Sequence, residues 1–339
     1  MKKEQKLPAG KLPAVVLGRL LEECVWTDDS VVIGPAVGID AAVIDTSVRL
    51  LALTSDPITF TAGHLGPWSL KINANDIAVM GAIPRWFLVT LLLPEGDATV
   101  PMAEEIFFEL GQSCRNMGVS LCGGHTEITD AVKRPVLCGH MVGEVGPSGV
   151  VSSAGAKPGD VLILTKGIAI EGTGVLAREA RSRLEHLGTE FCDQAASFIQ
   201  NPGISIVEEA VTAAESGKVH AMHDPTEGGL ATALHEVASA SGIGIELNAD
   251  RVNIYPETRI ICRELGLDPM GLLASGALLL VTDAEDASPV RESVRRLGID
   301  VEIIGRCTEN TGNLFVLQGD TRIPLKWFER DEIIRALSP

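Results

Sequence analysis

Asn75-Asp76-Ile77-Ala78-Val79-Met80-Gly81-Ala82-Ile83-Pro84 places a carboxylate on a segment that is apolar on nearly every side. A helix is predicted over residues 67–80, because Gly81 stops it and Pro84 prevents its continuation. At about 100° per residue, Asn73, Asp76 and Met80 share one side and Ala74, Ile77 and Gly81 another, so Asn73 and Asp76 can face one pocket. A carboxylate in such company is either satisfied by backbone N–H groups or serves a cation or a phosphate's water.

Two more acids lie upstream. Asp40 sits beside apolar residues in Gly38-Ile39-Asp40-Ala41-Ala42-Val43, and Asp56 ends an apolar strand in Leu53-Thr54-Ser55-Asp56. None of the three has an obvious basic partner nearby in the sequence, which suggests a cation shared by Asp40, Asp56 and Asp76. The usual cation for an all-oxygen site is Mg²⁺, which normally brings substrate phosphates with it.

The 339 residues suffice for two domains and a sizeable core. A hydrophobic content of 45% with 22% charged residues is that of an ordinary globular protein. The net charge of −17 argues against broad nucleic-acid binding and against docking on anionic membranes, both of which need a basic surface. No apolar run approaches about 18 residues, so no membrane span is expected. The basic start lacks the apolar stretch of a signal peptide. Seven scattered cysteines without a Cys-x-x-Cys pair point to reduced thiols in a cytosolic protein. Cys122 stands out because it abuts Gly123-Gly124-His125.

An amphipathic helix is expected over 14–24, then strands at 31–33, 41–45 and 50–54, the helix 67–80, and a strand at 87–93. A helix over 103–116 carries Ile106, Phe107, Leu110 and Cys114 on one face, and strands follow at 119–122 and 135–145. Small residues with Gly and Pro around 152–160 mark a boundary, giving domains 1–154 and 155–339. The second domain alternates strands near 161–165, 219–222, 243–247, 277–281, 301–305 and 314–317 with helices near 174–187, 205–216, 228–240, 255–265 and 287–297. The class is α+β, mixed sheets layered with helices.

Three further stretches could carry chemistry. Gly123-Gly124-His125-Thr126-Glu127 follows a strand; tandem glycines there let the backbone approach a ligand, with His125 and Glu127 as proton carrier or metal ligand, or else form a plain turn with a solvated histidine. Met222-His223-Asp224-Pro225-Thr226-Glu227-Gly228-Gly229-Leu230 runs from strand end to helix start, a natural anion site, or plain capping by Asp224 or Thr226. Thr165-Lys166-Gly167-Ile168-Ala169-Ile170-Glu171-Gly172-Thr173-Gly174 is glycine-spaced with one lysine but is not a P-loop, and could line a phosphate site.

In this order, over about residues 11–317, these stretches resemble the PurM-like superfamily of aminoimidazole ribonucleotide (AIR) synthase, thiamine-monophosphate kinase, selenophosphate synthetase and the hydrogenase maturation factor HypE. Residues 75–84 and 223–230 are the specific motifs. Residues 223–230 most resemble HypE's Asp-Pro-Thr-Arg-Gly-Gly, with Glu227 where arginine is common. The resemblance implies a two-domain chain, an N-terminal domain that binds ATP and Mg²⁺ and joins its copy in a dimeric β-barrel, and a C-terminal α/β sandwich. It implies metal-binding by Asp40, Asp56 and Asp76. Nucleotide contacts fall on Lys11 of a Gly10-Lys11 arm, Asn75, Gly123, Gly124, Asp224, Thr226, Gly228 and Gly229, and catalytic roles on His125, Glu127 and Asp76.

Two departures bear on the activity. His125 stands where kinase-like and HypE-like members usually carry a metal-binding aspartate, although selenophosphate synthetases share Gly-Gly-His. HypE ends in a cysteine that receives a carbamoyl group, whereas the last cysteine here is Cys307, inside the fold, so the thiocarboxamide reaction is not expected. Without an N-terminal Cys-Gly motif, selenophosphate synthesis is not expected either. The expectation is an ATP-dependent enzyme of the AIR synthase/HypE type that activates an oxygen or similar nucleophile of an unknown small-molecule or protein acceptor. The alternatives are a small-molecule kinase and a non-catalytic nucleotide-binding scaffold.

Overall fold

The computed structural model describes residues 13–22, 28–59, 63–319 and 321–337. In its first half, α1 (Ala14–Glu22) precedes β1 (Val31–Ile33), β2 (Ala42–Asp45), β3 (Leu50–Ile58), α2 (Leu65–Val79), β4 (Ala82–Pro94), α3 (Val100–Met117), β5 (Ser120–Thr129) and β6 (Val136–Val145). The strands form one open sheet in the order β1-β2-β3-β6-β4-β5, antiparallel except for the β4–β5 pair.

The second half runs β7 (Val161–Thr165), α4 (Ile170–Glu179), α5 (Arg181–Leu184), α6 (Thr189–Ala196), α7 (Val207–Glu215), β8 (Val219–His223), α8 (Gly229–Ser241), β9 (Gly244–Asn248), α9 (Pro256–Leu265), β10 (Leu279–Thr282), α10 (Ala287–Arg295), β11 (Val301–Thr308), β12 (Leu314–Gln318), β13 (Thr321–Pro324) and α11 (Glu332–Leu337). Its seven strands are ordered β13-β12-β9-β11-β7-β10-β8, antiparallel except for β12 beside β9. Two mixed sheets with helices make the α+β class. The short elements α6, β13 and α11 carry too few periodic apolar positions to be read from sequence.

All residues of α2 except Pro67 and Lys71 are buried. A helix with no wet face belongs to the core on every side, and α2 packs on β3, β4 and β6 and also against α3 and α7. It can lie so close to the sheet because β6 has glycine beneath it: an added Cβ at Gly143 would overlap Ile77, and one at Gly139 would overlap the Asn73 amide. One apolar cluster joins Ile77, Phe87 and Met141 of the first half to Val175, Ile199 and Ile261 of the second. Truncating a residue as buried as Ile77 to alanine costs about 2–5 kcal/mol.

Three expectations change. β4 starts at Ala82, not near 87, and carries Pro84 at a register shift between Pro84 and Trp86, where the absent N–H breaks no regular ladder. On α3, Ile106, Leu110 and Cys114 are buried but Phe107 is 41% exposed. Residues 120–129 are one continuous strand, so Gly123-Gly124-His125 is not a turn.

Candidate functional site

Asp76, from α2, is buried against the sheet. Its Oδ2 accepts from Thr54 Oγ1 on β3 at 2.7 Å, and that hydroxyl also lies 3.3 Å from the Asp40 carbonyl, just before β2. Two residues further along β3, the Asp56 N–H donates to Asn73 Oδ1 at 3.0 Å, while Asn73 Nδ2 donates to Ser69 O at 2.8 Å and to Asp56 O at 3.3 Å. Asn73 therefore fixes the backbone that carries Asp56. Burial, then the charges of Asp56, Asp224 and Asp40, push the Asp76 carboxyl well above the usual carboxylate range, against the Thr54 hydrogen bond. Four aspartates, three from the first half and Asp224 from the β8–α8 junction, thus meet at one place.

Asp40 is tied to the boundary segment by Ser153 Oγ, which donates to its Oδ2 at 3.0 Å, and to the second half by His223 Nδ1 at 2.8 Å. The other ring nitrogen of His223 reaches Glu236 Oε2 on α8 at 2.9 Å. Burial pushes the His223 pKa down, but the charges and hydrogen bonds of Asp40 and Glu236 outweigh it and raise the pKa well above the usual value. His223 is thus an imidazolium strut between two carboxylates. One atom each of Asp40, His223 and Asp224 lie within 4.8 Å of one another. Because both His223 nitrogens are engaged, the ligands left to a cation are carboxylate oxygens, a hard-donor set that suits a divalent cation such as Mg²⁺. Such an ion would offset the burial and like charge that hold the Asp76 carboxyl above its usual range.

Other expected residues lie elsewhere or do other work. Asn75 is fully buried; its Nδ2 donates to Ile204 O at 2.8 Å and its Oδ1 accepts from Ile206 N at 2.9 Å, so its amide clamps the two halves. Helix α8 is preceded by Gly228 in a left-handed conformation with no side-chain cap, so neither Asp224 nor Thr226 caps it. The Gly228 N–H donates to Asp331 Oδ2 at 2.7 Å, and Asp331 also accepts from Leu273 and Ile333 N–H. A carboxylate of the chain itself thus holds the amide expected to bind phosphate. Gly229 is buried beside it. Lys166 Nζ is 2.6 Å from both Ser205 O and Glu209 Oε1, a buried structural pair rather than a phosphate ligand.

Gly123, Gly124, His125 and Glu127 lie on β5 at the sheet edge, with His125 and Glu127 3.8 Å apart and mostly exposed. The register Asp56–Gly139–Val89–Gly124 puts this edge three strands from Asp56, roughly 14 Å at the usual strand spacing. The protomer does not bring them to the aspartates. Lys11 and Gly10 lie outside the described residues.

A cavity of about 180 Å³ opens beside Asp56 and continues to Thr226 and Glu227. It also reaches Glu171 and Ser275, which the sequence did not single out. Burial pushes the Glu171 carboxyl up to about 7; the Ser275 hydroxyl tempers the rise without closing a well-formed hydrogen bond, and Asp331 and Glu227 add to it. Helix α4 starts four residues before the expected position and so delivers Glu171 in its first turn. A lone charge in the apolar stretch 168–176 was the available signal; Ser275 had none. Glu236 could have been noticed as the one acid on α8, an otherwise small and apolar helix.

Residues 38–145 match the model of the AIR synthase related protein N-terminal domain, and residues 157–316 that of its C-terminal domain. A protein of Methanocaldococcus jannaschii named for hydrogenase expression and formation is 30% identical over 277 residues, 80% of this chain and 79% of that one. The carbamoyl dehydratase HypE of Rhizobium leguminosarum bv. viciae is 30% identical over 267 residues, 77% of this chain and 72% of that one. Among solved structures, the hydrogenase maturation protein HypE in complex with ATP superposes with a TM-score of 0.73 at 24% identity, covering 89% of this chain and 92% of that one. No helix of the described residues is long and apolar enough to cross a membrane. The chain belongs to the AIR synthase-related, PurM-like family, and its relatives include the HypE proteins.

Proposed function

We propose that the acidic cleft binds Mg²⁺–ATP and that the protein passes a phosphoryl group to an oxygen or similar nucleophile of an acceptor. The observation that carries this reading is the meeting of Asp40, Asp56, Asp76 and Asp224 where Asp76 is forced toward its protonated form. Asp40, Asp56 and Asp76 would hold Mg²⁺, which would supply charge neutralisation at the phosphates, the help phosphoryl transfer needs more than covalent chemistry. His223 and Ser153 hold Asp40 in place for that task. Lys11 would contact phosphate. Support comes from the HypE structure crystallised with ATP on this fold and from relatives named carbamoyl dehydratase over most of the chain.

The active form in this reading is a homodimer. β5 is a ten-residue edge strand, exposed along almost its whole length, with Leu121 and Ile128 exposed on it and Phe107 and Phe108 exposed on α3. Such an edge is a template for pairing with a second chain. His125 and Glu127 would then act on a nucleotide only through the dimer. Sedimentation of the wild type and of Ile128→Lys tests this; a monomeric wild type overturns it.

Calorimetry and phosphate release with and without Mg²⁺ test the nucleotide reading. Mg²⁺-dependent binding with turnover that Asp76→Asn abolishes is the expected result. Binding without turnover would make the protein a nucleotide-binding scaffold, and no binding would overturn the reading.

A further inference from the structure

Three buried polar atoms around the cavity beside Asp56 lack a hydrogen-bond partner among the described residues: Trp68 Nε1, Glu171 Oε2 and Ser275 Oγ. Their residues are 1%, 6% and 1% exposed. Leaving one such atom unsatisfied is costly, and three around a single cavity is an arrangement completed by something that enters it.

The lining says what enters. Asp56, Glu171 and Glu227 contribute three carboxyl groups, and among the described residues none that lines the cavity is Lys, Arg or His. An anionic ligand would meet only like charge. Trp68 offers an N–H donor and Ser275 a hydroxyl, so an oxygen on the ligand also finds partners. Pro57, Ile72 and Leu273 leave room for a short apolar body between them.

We propose that this cavity is the acceptor subsite and that it takes a small molecule carrying both a cationic nitrogen, bound by Glu171, and a hydroxyl, bound by Trp68 and Ser275. The assignment rests on the nucleotide reading above for the word acceptor, since Asp56 is shared between the cavity and the acidic cleft. The carboxyl of Glu171, raised to about 7 by burial, gives up its proton when a cation is seated beside it.

Calorimetry on the full chain without nucleotide tests the subsite, with ethanolamine and 3-amino-1-propanol as probes and ethylene glycol and glycolate as controls. A charge-assisted hydrogen bond makes binding of the amino alcohols at least about tenfold tighter than that of either control. Glu171→Gln, which keeps the shape, removes that preference, and Ser275→Ala weakens binding about threefold or more. Melting curves of both variants establish that they fold. Equal binding of glycolate, no binding of any amino alcohol, or an unchanged preference in Glu171→Gln overturns the proposal. Asp76→Asn separates the two readings: it abolishes ATP turnover and leaves amino-alcohol binding intact. A wild type that binds the amino alcohols but never turns over ATP keeps the cationic subsite and discards phosphoryl transfer.

Discussion

Two glycine pairs are alike in the sequence and end in opposite settings. Gly123-Gly124 reads as directly following an apolar strand and Gly228-Gly229 as opening a helix just after one, each beside histidine, aspartate or glutamate. The first became the middle of an exposed edge strand, with Gly124 at φ 144°. The second is buried at the mouth of α8, with φ values of 81° and 63°, and its first N–H is held by the buried Asp331 carboxylate. A glycine pair therefore licenses a backbone shape and close approach, while the polar groups gathered from other elements decide whether chemistry follows.

The largest expected effect falls on the buried side. Asp76→Asn should lower ATP turnover by about a hundredfold or more, read by phosphate release, while circular dichroism stays native. If His125→Ala does as much damage, the contrast between the regions collapses into a single composite site.

Replacing the glycines comes next. Gly124→Ala drives a Cβ into the Val89 carbonyl, and Gly229→Ala drives one into the Met270 and Leu272 carbonyls. Each should cost about 2–4 kcal/mol in urea unfolding. Nucleotide affinity at low temperature should fall for Gly229→Ala, and for Gly124→Ala only so far as pairing along β5 is lost.

Glu171→Gln sharpens the picture through pH. In the folded protein this carboxyl titrates near 7 instead of 4.5, so the folded state holds a proton that the unfolded chain has already released between those values. Wild-type stability should decline over that window as pH rises, and Glu171→Gln should gain on the wild type by about 2–3 kcal/mol at pH 8. At pH 4 the two should unfold alike. Equal denaturation midpoints at pH 8 would show that the carboxyl is ionised without penalty.

The smallest effect belongs to the exposed side. In the single protomer, at concentrations too low for pairing, His125→Ala should shift stability by no more than about 0.5 kcal/mol, since its imidazole is there 67% exposed and 3.8 Å from Glu127. A larger loss at higher concentration is what pairing along β5 would give, because His125 is then covered.

The sequence made α2 legible because a run that is apolar on all sides, with a glycine stop, has few alternatives to a buried helix. Asp40, Asp56 and Asp76 were legible as a group because carboxylates in apolar company need a common reason. Gly123-Gly124 misled because the ladder that makes it a strand comes from β4, more than thirty residues away by register, and no local signal encodes a parallel partner. The clamp made by Asn75 was not legible, because one residue before Asp76 on a helix points about 100° away, toward a partner at 204–206 that no local signal names. Glu171 was hidden by a helix start read four residues late.

The Asn75 clamp has a dynamic consequence. With both ends of one buried amide bonded to the backbone at 204 and 206, helix α2 is a shared keel of both halves and not a hinge. Asp76, which it carries, is then set in place against β3 when the chain folds, with no closing motion needed to bring it to the other aspartates. The N–H of Ile206 should exchange with solvent deuterium only through global unfolding, at the slowest rate in the molecule.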